Sequence, residues 1–562
     1  MNTENKLKIQ NSKFKTVMFL FLIILLAAIL RLWHLGQYPI HLTNDEAGIG
    51  YNAYSILKTA RDEHGQFMPI VFESFGDWKP GLYIYLTVPS VLLFGLTEFA
   101  VRLPSALSGV ASVYLLYLIA NRLFDRNVAL ASAFILAILP WHMQFSRGAW
   151  EANAALMILL AGVWFFIKSL KNHNYIVLSA AFFGLTLWTY QSAKLASVLV
   201  LLALAICYHK KLLSLSKKTL GTSVVIGILV AMPIVLSLFS GKGGRLEVMS
   251  VFSYTRPDEY IKETILDQED ISKNSLKYLL FHSEAANLTR GITGRYFNYF
   301  SGKFLFFQGD WSSLRHSIPN VGYLLFAEAP VFIVGLVQLF KSKGDKNATF
   351  VLLWLAFAPI APALTRDSVH GVRALNMVAP LSIVLGIGIN SMYSYLKKQI
   401  NPLVKYIMAF LITGAFIYSF VIYLDGYYIQ NEYVYAENYF YGYRETVKEL
   451  DKISEDKKVV FSQSYDQPYI YFLFYKHYDP DKYQQVSNFI PSEYGDVGIV
   501  TKLDNIEFRP INWSSDIRLE NTLIVGKLSA FPTEEVDKPE DYDVTRIKYP
   551  NGNDAFLIVE AK

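Results

Sequence analysis

Long apolar runs dominate the hydrophobic pattern of this 562-residue chain. Eleven of them are close to the ~17–25 residues that a helix needs to cross the hydrocarbon core of a bilayer. They lie at 17–33, 101–120, 128–145, 154–170, 174–190, 195–208, 219–239, 322–340, 348–364, 374–396 and 405–424. The pattern therefore predicts an α-helical polytopic membrane protein with roughly 11–13 transmembrane helices.

A further apolar run, 81–96, is short, and its placement decides on which side of the membrane every later loop lies. If it does not span, lysine-rich loops such as those at Lys210 and Lys397 face the cytoplasm, as the positive-inside rule requires. We therefore predict that 81–96 is an interfacial or re-entrant helix. We also predict that the N-terminus is cytoplasmic and that the C-terminal region is not.

Three soluble segments then lie on the non-cytoplasmic side. They are the first external loop at 34–100, a long external loop at 240–320, and the region 425–562. Strand-like runs at 458–462, 469–475 and 522–528, a hairpin centred on Asn551-Gly552 and a helical stretch at 444–453 favour a small α/β unit there. The predicted organisation is a transmembrane domain at 1–424 and an external soluble α/β domain at 425–562.

Composition supports the membrane assignment and narrows the partners. Hydrophobic residues make up 53% of the chain and charged residues 18%, whereas soluble proteins are typically about 25% charged. A net charge of +5 is small for this length and argues against nucleic acid as a partner. The first apolar run ends without a small-residue cleavage site, so it is predicted to remain as a transmembrane helix. The chain is predicted to be a multi-pass protein of the plasma (inner) membrane.

The first external loop carries Asp45, one residue before Glu46. Thr43 and Glu46 fit a helix capping box, and acids in a first helical turn suit the helix dipole. The alternative is that Asp45 is a catalytic carboxylate held at the membrane surface. The spacing alone leaves both interpretations open.

Further charged residues lie in predicted outer loops. Lys79 precedes Pro80 and Tyr83, and it is either a lysine that reaches the membrane interface or a contact to a phosphate. Later outer loops carry basic, acidic and histidine side chains at Arg147, Glu151, His370 and Arg373. Each signal is weak separately, but the lysine-based topology places all of them on one face. An acid among several cations there suits a reaction on a lipid phosphate.

These segments together resemble the C-type glycosyltransferases. The resemblance is greatest to the branch with protein O-mannosyltransferases and the bacterial aminoarabinose transferase acting on lipid A. The matching pieces are fairly specific in order and spacing within residues 15–200, and the remainder matches only in general plan. They are Arg31-Leu32, 44–47, 79–83, 98–107 and 140–151.

The resemblance implies the C-type glycosyltransferase fold and an inverting transfer from a polyprenyl-phosphate-linked sugar to a protein, lipid or glycan acceptor. It implies Asp45 as the base or acceptor-orienting group and Lys79 as a contact to the donor phosphate. We predict Arg373 and Arg147 as further phosphate contacts. Supporting residues are predicted at Glu46, Glu151, His370 and Tyr83.

The same comparison bears on metals. Metal-dependent oligosaccharyltransferases carry two acids after the third span, whereas this chain has Glu151 with Asn153. The sequence also has no His-x-x-x-His motif and no cysteine cluster. No cofactor is therefore expected, and a divalent metal is not favoured.

Two other functions compete with the transferase. A transporter or flippase of lipid-linked saccharides would show internal repeats and ionisable residues within its spans. Neither pattern is evident in the sequence. A binding module on a membrane anchor would not need about eleven spans.

Overall fold

The computed structural model describes residues 3–240, 248–269, 271–342, 344–399, 401–453, 456–464, 466–491, 498–536 and 540–562. Within these ranges, eight helices are long and apolar enough to cross a membrane. They are Phe14–Leu32, Glu98–Leu123, Glu151–Ser169, Gln191–Leu212, Lys217–Phe239, Lys346–Ala363, Leu375–Lys398 and Pro402–Tyr435. A polytopic helical membrane protein is therefore confirmed.

Three of the eleven predicted runs depart from a single long helix. The run at 128–145 is a pair of helices, Arg126–Ile138 and Pro140–Arg147, bent by 53° at Leu139. A proline favours an extended residue before it and suits the first position of a new helix, which explains the break. The other two runs form helices of 12 and 14 residues, Tyr175–Thr186 and Glu328–Lys341. Length and composition thus give eight spans, or nine with the bent pair, in the described ranges.

The first external loop folds into a helix, a β-hairpin and a second helix. The first helix, Asn44–Thr59, begins with the predicted capping box of Thr43 and Glu46. The strands Val71–Ser74 and Asp77–Pro80 pair antiparallel, so Pro80 ends a strand and the next helix begins after Gly81. That helix, Leu82–Phe94, has 13 residues and a length of about 20 Å, short of a ~30 Å hydrocarbon core. Its length favours the interfacial placement.

The described part of the long external loop, 248–269 and 271–320, has short elements and one helix of 15 residues. In order they are Val251–Ser253, Asp258–Ile261, Lys262–Leu266, Asp267–Glu269, Tyr278–His282, Glu284–Asn298, Lys303–Phe307 and Leu314–His316. The last transmembrane helix continues through Gly426–Gln430 and Asn431–Tyr435 to a short turn at Glu437–Tyr439.

The C-terminal region contains a mixed six-stranded sheet with short helices around it. The strand order is Lys502–Leu503, Ile506–Arg509, Lys458–Ser462, Thr522–Gly526, Asp554–Ala561 and Tyr542–Lys548. Two further short strands, Phe489–Ile490 and Ile499–Val500, pair with each other. The helices are Tyr443–Leu450, Pro468–Tyr475, Pro480–Val486, Trp513–Asp516 and Thr533–Val536.

Four expectations for this region are confirmed and one is wrong. The strands expected at 458–462 and 522–528 form at Lys458–Ser462 and Thr522–Gly526. The helix near 444–453 and the hairpin at Asn551-Gly552 both form. Residues 469–475, expected as a strand, are a helix that begins at Pro468. Because Tyr469 to Phe474 are all buried, the run is apolar on every side, and its pattern has neither the period of a helix nor that of a strand.

The C-terminal region and the first external loop share one hydrophobic core. Tyr51 donates a hydrogen bond to the carbonyl of Tyr478 at 3.2 Å, and Gly50 lies against the ring of Phe474. The backbone N–H of Arg444 donates to Nε2 of His41 at 3.1 Å. This core fixes the first helix of the loop, and hence Asp45, relative to the membrane helices.

Candidate active site

A cavity of about 350 Å³ opens where the first external loop meets the ends of several membrane helices. Five of the eight predicted site residues line it, brought together from four separate segments of the chain. They are Asp45, Lys79, Glu151, His370 and Arg373. The cavity therefore joins the side chains that the sequence could only assign to one face of the membrane.

Asp45 and Lys79 form an ion pair in the cavity wall. Lys79 Nζ donates to Asp45 Oδ1, and the two side chains are 9% and 30% exposed, respectively. Asp45 lies in the first turn of the helix Asn44–Thr59, where the positive end of the helix dipole stabilises a carboxylate. Lys79 is held by the hairpin and lies 5.5 Å from the ring of Phe75. The pair therefore rests on two rigid elements of the same loop.

Arg373 supplies a second cation on another side of the cavity. Its guanidinium donates to Asp367 Oδ2 at 2.5 Å and to Thr365 Oγ1 at 2.7 Å. Its backbone N–H donates to Nδ1 of His370 at 3.4 Å. The segment is compact and only 10% of the Arg373 side chain is exposed, so the positive charge has a fixed position.

Glu151 and Trp150 begin the helix Glu151–Ser169 and also line the cavity. Apolar side chains at Leu195, Phe252 and Leu364 complete another part of the wall. The cavity thus combines charged groups with an apolar surface.

A further acid, Asp310, lies beside two histidines of the cavity wall, His316 and His370. The atoms of Asp310, His316 and His370 that could bind a metal ion all lie within 4.8 Å of one another. Asp310 Oδ1 accepts from the backbone of Ser312 and Ser313, and Oδ2 accepts from His316 Nδ1 at 2.9 Å and from Gly371 N at 2.8 Å. These four donors occupy the lone-pair positions of the Asp310 carboxylate, so its hydrogen bonds are all made with groups of the protein.

Three of the predicted site residues lie outside the cavity lining. Arg147 is buried and donates to the carbonyls of Leu30 and Trp33, so the structure does not support it as a phosphate contact. Tyr83 is buried and donates to the carbonyl of Val101. Both side chains hold backbone segments together.

Glu46 is the third, and its contacts are also structural. Its Oε2 accepts from Thr43 N at 2.9 Å, and its Oε1 accepts from Arg102 Nε at 3.1 Å and from Ala149 N at 2.9 Å. Glu46 therefore ties the start of the Asp45 helix to a membrane helix and to the turn before Glu151. Glu46 thus helps to fix the position of Asp45 without lining the cavity itself.

Known proteins share parts of this sequence. Residues 79–236 match the family described as dolichyl-phosphate-mannose-protein mannosyltransferase. YkcB and YycA, two proteins of Bacillus subtilis (strain 168) that are named as candidate mannosyltransferases, are 29% and 27% identical over 168 and 167 residues. Each alignment covers 29% of this chain, and it covers 22% of YkcB and 23% of YycA.

Two solved structures are similar to this chain in fold. ArnT from Cupriavidus metallidurans, in a crystal structure bound to undecaprenyl phosphate, matches with a TM-score of 0.52 over 98% of both chains at 12% identity. The Archaeoglobus fulgidus oligosaccharyltransferase tethered to an acceptor peptide gives 0.52 over 97% of this chain and 74% of that one, also at 12% identity. The protein has the C-type glycosyltransferase fold. The predicted fold class and the resemblance behind it are thereby confirmed.

Several residues that line the cavity of this C-type glycosyltransferase fold were not predicted from the sequence. Arg315 and His316 come from the long external loop, and Gln191 starts a membrane helix. His316 is buried, and burial lowers the pKa of its imidazole. The sequence signal for His316 was its position six residues after Asp310 in the long external loop. No helical or strand-like hydrophobic pattern marks that stretch, so the signal could not be placed on an element.

Proposed function

We propose that this protein transfers a sugar, with inversion, from a polyprenyl-phosphate-linked donor to an acceptor on the non-cytoplasmic side of the membrane. The observation that carries the proposal is the cavity shared by Asp45, Lys79 and Arg373. The family of mannosyltransferases that matches residues 79–236, and the fold relative bound to undecaprenyl phosphate, both support it.

The two cations suit the departure of a lipid phosphate. As the bond from the anomeric carbon to the phosphate oxygen breaks, negative charge develops on the phosphate, and fixed positive charge nearby stabilises it. Lys79 and Arg373 are both mostly buried, so water screens their charges little. Each is paired with a carboxylate, Asp45 or Asp367, and the donor phosphate competes with that carboxylate for the cation.

Asp45 suits the acceptor side of the reaction. A lipid phosphate leaves as a stable anion and needs no general acid, so one carboxylate suffices to activate or orient the attacking hydroxyl or amine. The apolar wall at Leu195, Phe252 and Leu364 suits the first isoprene units of the donor. The acceptor is a protein, a lipid or a glycan, and the transfer as proposed uses no metal ion.

The proposal is tested with purified protein in proteoliposomes and a panel of radiolabelled undecaprenyl-phosphate sugars. Wild type is expected to form a new glycosidic bond on an added membrane extract, in the presence or absence of EDTA. Asp45→Asn is expected to lower the rate by at least ~10². Asp481→Asn is the matched control, because Asp481 is an exposed acid in the first turn of another helix.

Full activity of Asp45→Asn would contradict the role of Asp45. Movement of labelled donor across the bilayer without a new glycosidic bond would contradict the transferase and favour the transporter.

A further inference from the structure

Asp310 and His316 form a hydrogen-bonded pair next to the cavity. Asp310 is completely buried, and the imidazole of His316 is 2% exposed. Three backbone N–H groups, those of Ser312, Ser313 and Gly371, also donate to the carboxylate. Because an ionised carboxylate only accepts hydrogen bonds, His316 Nδ1 carries the shared hydrogen. The carboxylate thus fixes both the ring and its tautomer.

The opposite ring nitrogen of His316 has the features of a proton acceptor. Nε2 is buried and has no hydrogen-bond partner within the described residues. In this tautomer Nε2 holds a free lone pair, and His316 itself lines the cavity. Aromatic rings of Phe145 and Trp150 pack against the imidazole with centroids 5.9 and 5.2 Å away, so the ring has no room to turn.

The surrounding charges favour the neutral ring. Burial is the largest cause that lowers the pKa of His316, and Arg315 and Arg373 lower it further, whereas Asp310 raises it. His370, with its ring centroid 4.8 Å away, is the other titratable group packed against it, and Glu151 lines the same cavity. Two nearby arginines also make the position unfavourable for a metal cation.

We propose that His316, oriented by Asp310, accepts the proton that the acceptor hydroxyl releases during sugar transfer. This inference rests on the proposed function. The acceptor oxygen bonds to the anomeric carbon, and the bond from that carbon to the phosphate oxygen breaks with its electron pair staying on the phosphate. The hydroxyl proton passes to His316 Nε2, and the imidazolium that forms is stabilised by Asp310 and later releases the proton to water. Asp45 then orients the acceptor and does not take its proton.

The first test compares pH profiles of transfer in proteoliposomes from about pH 5 to pH 9. His316→Gln is expected to lower the rate by ~10²–10⁴ and to remove the decline that wild type shows as the pH falls below the pKa of His316. Asp310→Asn, which keeps the bulk of the side chain, is expected to lower the rate at every pH. His173→Gln is the control, since His173 is exposed in a loop remote in sequence from the site.

A second test separates proton transfer from a structural role. Removal of the ring in His316→Ala leaves space for a small base, so added imidazole should restore at least ~10-fold of the lost rate. The rescue should weaken as imidazole itself becomes protonated, which a purely structural defect would not reproduce. Thermal unfolding in detergent identifies any variant that does not fold.

Several outcomes would overturn the assignment. His316→Gln with the wild-type rate and pH profile, or folded His316→Ala that imidazole does not rescue, would remove His316 as the proton acceptor while wild type still transfers sugar. One equivalent of zinc in purified wild type that is absent from His316→Gln would make the cluster a metal site instead. If wild type forms no glycosidic bond with any donor, the proposed function fails and the proton role fails with it.

Discussion

Asp45 and Glu46 are neighbours in the sequence with opposite surroundings. Asp45 faces the cavity beside Lys79, whereas Glu46 is buried against Arg102. Both acids fit a first helical turn, so the sequence could not distinguish a carboxylate that lines a cavity from one that is buried in an ion pair. The difference arises from the orientation of the helix, which Arg102, 56 residues later, helps to fix.

Glu46→Gln is predicted to destabilise the protein rather than to block chemistry directly. Removing one charge of a buried ion pair leaves the other uncompensated, at a cost of ~3–5 kcal/mol. The midpoint of thermal unfolding in detergent should fall for Glu46→Gln and stay near wild type for Asp45→Asn, whose side chain is 30% exposed. Equal stability of the two variants would contradict the structural role of Glu46.

Several of the predicted residues that line the cavity lie on short motifs near an element boundary, such as Lys79 beside Pro80. Arg147 shows the limit of that reasoning. Its position in an outer loop suggested a phosphate contact, but its guanidinium satisfies backbone carbonyls of the first membrane helix and the segment after it. The sequence predicts a side of the membrane for such a residue, whereas tertiary packing decides what its side chain contacts.

Among the elements, the helix Asn44–Thr59 depends on close packing at Gly50. A Cβ at this position would lie 2.6 Å from both a ring carbon of Phe474 and a methyl of Val101. Gly50→Ala is therefore predicted to cost ~1–3 kcal/mol in the free energy of unfolding. Gly221→Ala is the control, because its Cβ would meet no atom within 4 Å, and it should be neutral or stabilising. Thermal unfolding of both variants checks the prediction, and equal midpoints would contradict it.

His41 links the first external loop to the C-terminal region in a way that depends on pH. Burial, followed by the charge of Arg444, lowers the pKa of His41 to about 3. Its Nε2 accepts from Arg444 N, so protonation would place two hydrogens against each other. The neutral ring stabilises the fold above the ordinary pKa of about 6.5, and that contribution is lost as the pH falls from 6.5 towards 3.

A change from pH 7 to pH 5 is therefore predicted to remove about 2 kcal/mol of stability through His41. The measurement is thermal unfolding of wild type and His41→Asn at both pH values. The variant should be less stable at pH 7 but lose less between the two conditions. A parallel loss in both proteins would show that other groups carry the pH dependence.

At the scale of the whole molecule, lysine distribution predicts a topology that remains to be measured. With Cys207→Ser as background, Asn551→Cys lies in an exposed turn of the C-terminal hairpin and Lys217→Cys at the start of a membrane helix. An impermeant maleimide is expected to label Asn551→Cys in intact cells and Lys217→Cys only after permeabilisation. The opposite pattern would invert the proposed orientation.

The overall architecture was predictable because apolar runs of membrane length are a strong signal. Eight of eleven runs form helices long enough to span, and the fold class follows from them. The run at 128–145 shows what hydropathy cannot reveal, since Pro140 divides it into two helices without making it less apolar. The shared core of the first loop and the C-terminal region was also not predicted, because contacts over such distances leave no periodic trace in the sequence.

That shared core has a consequence for the order of events during synthesis. Tyr51 contacts Tyr478, 427 residues later, and the helix that bears Asp45 packs on the segment around Phe474. At ~5–20 residues per second, a ribosome needs roughly 20–85 seconds to make the intervening chain. The loop that carries Asp45 is therefore made well before the segment on which it packs. A nascent chain interrupted before this point would carry Lys79 and Arg373 without the contacts that hold Asp45 in place.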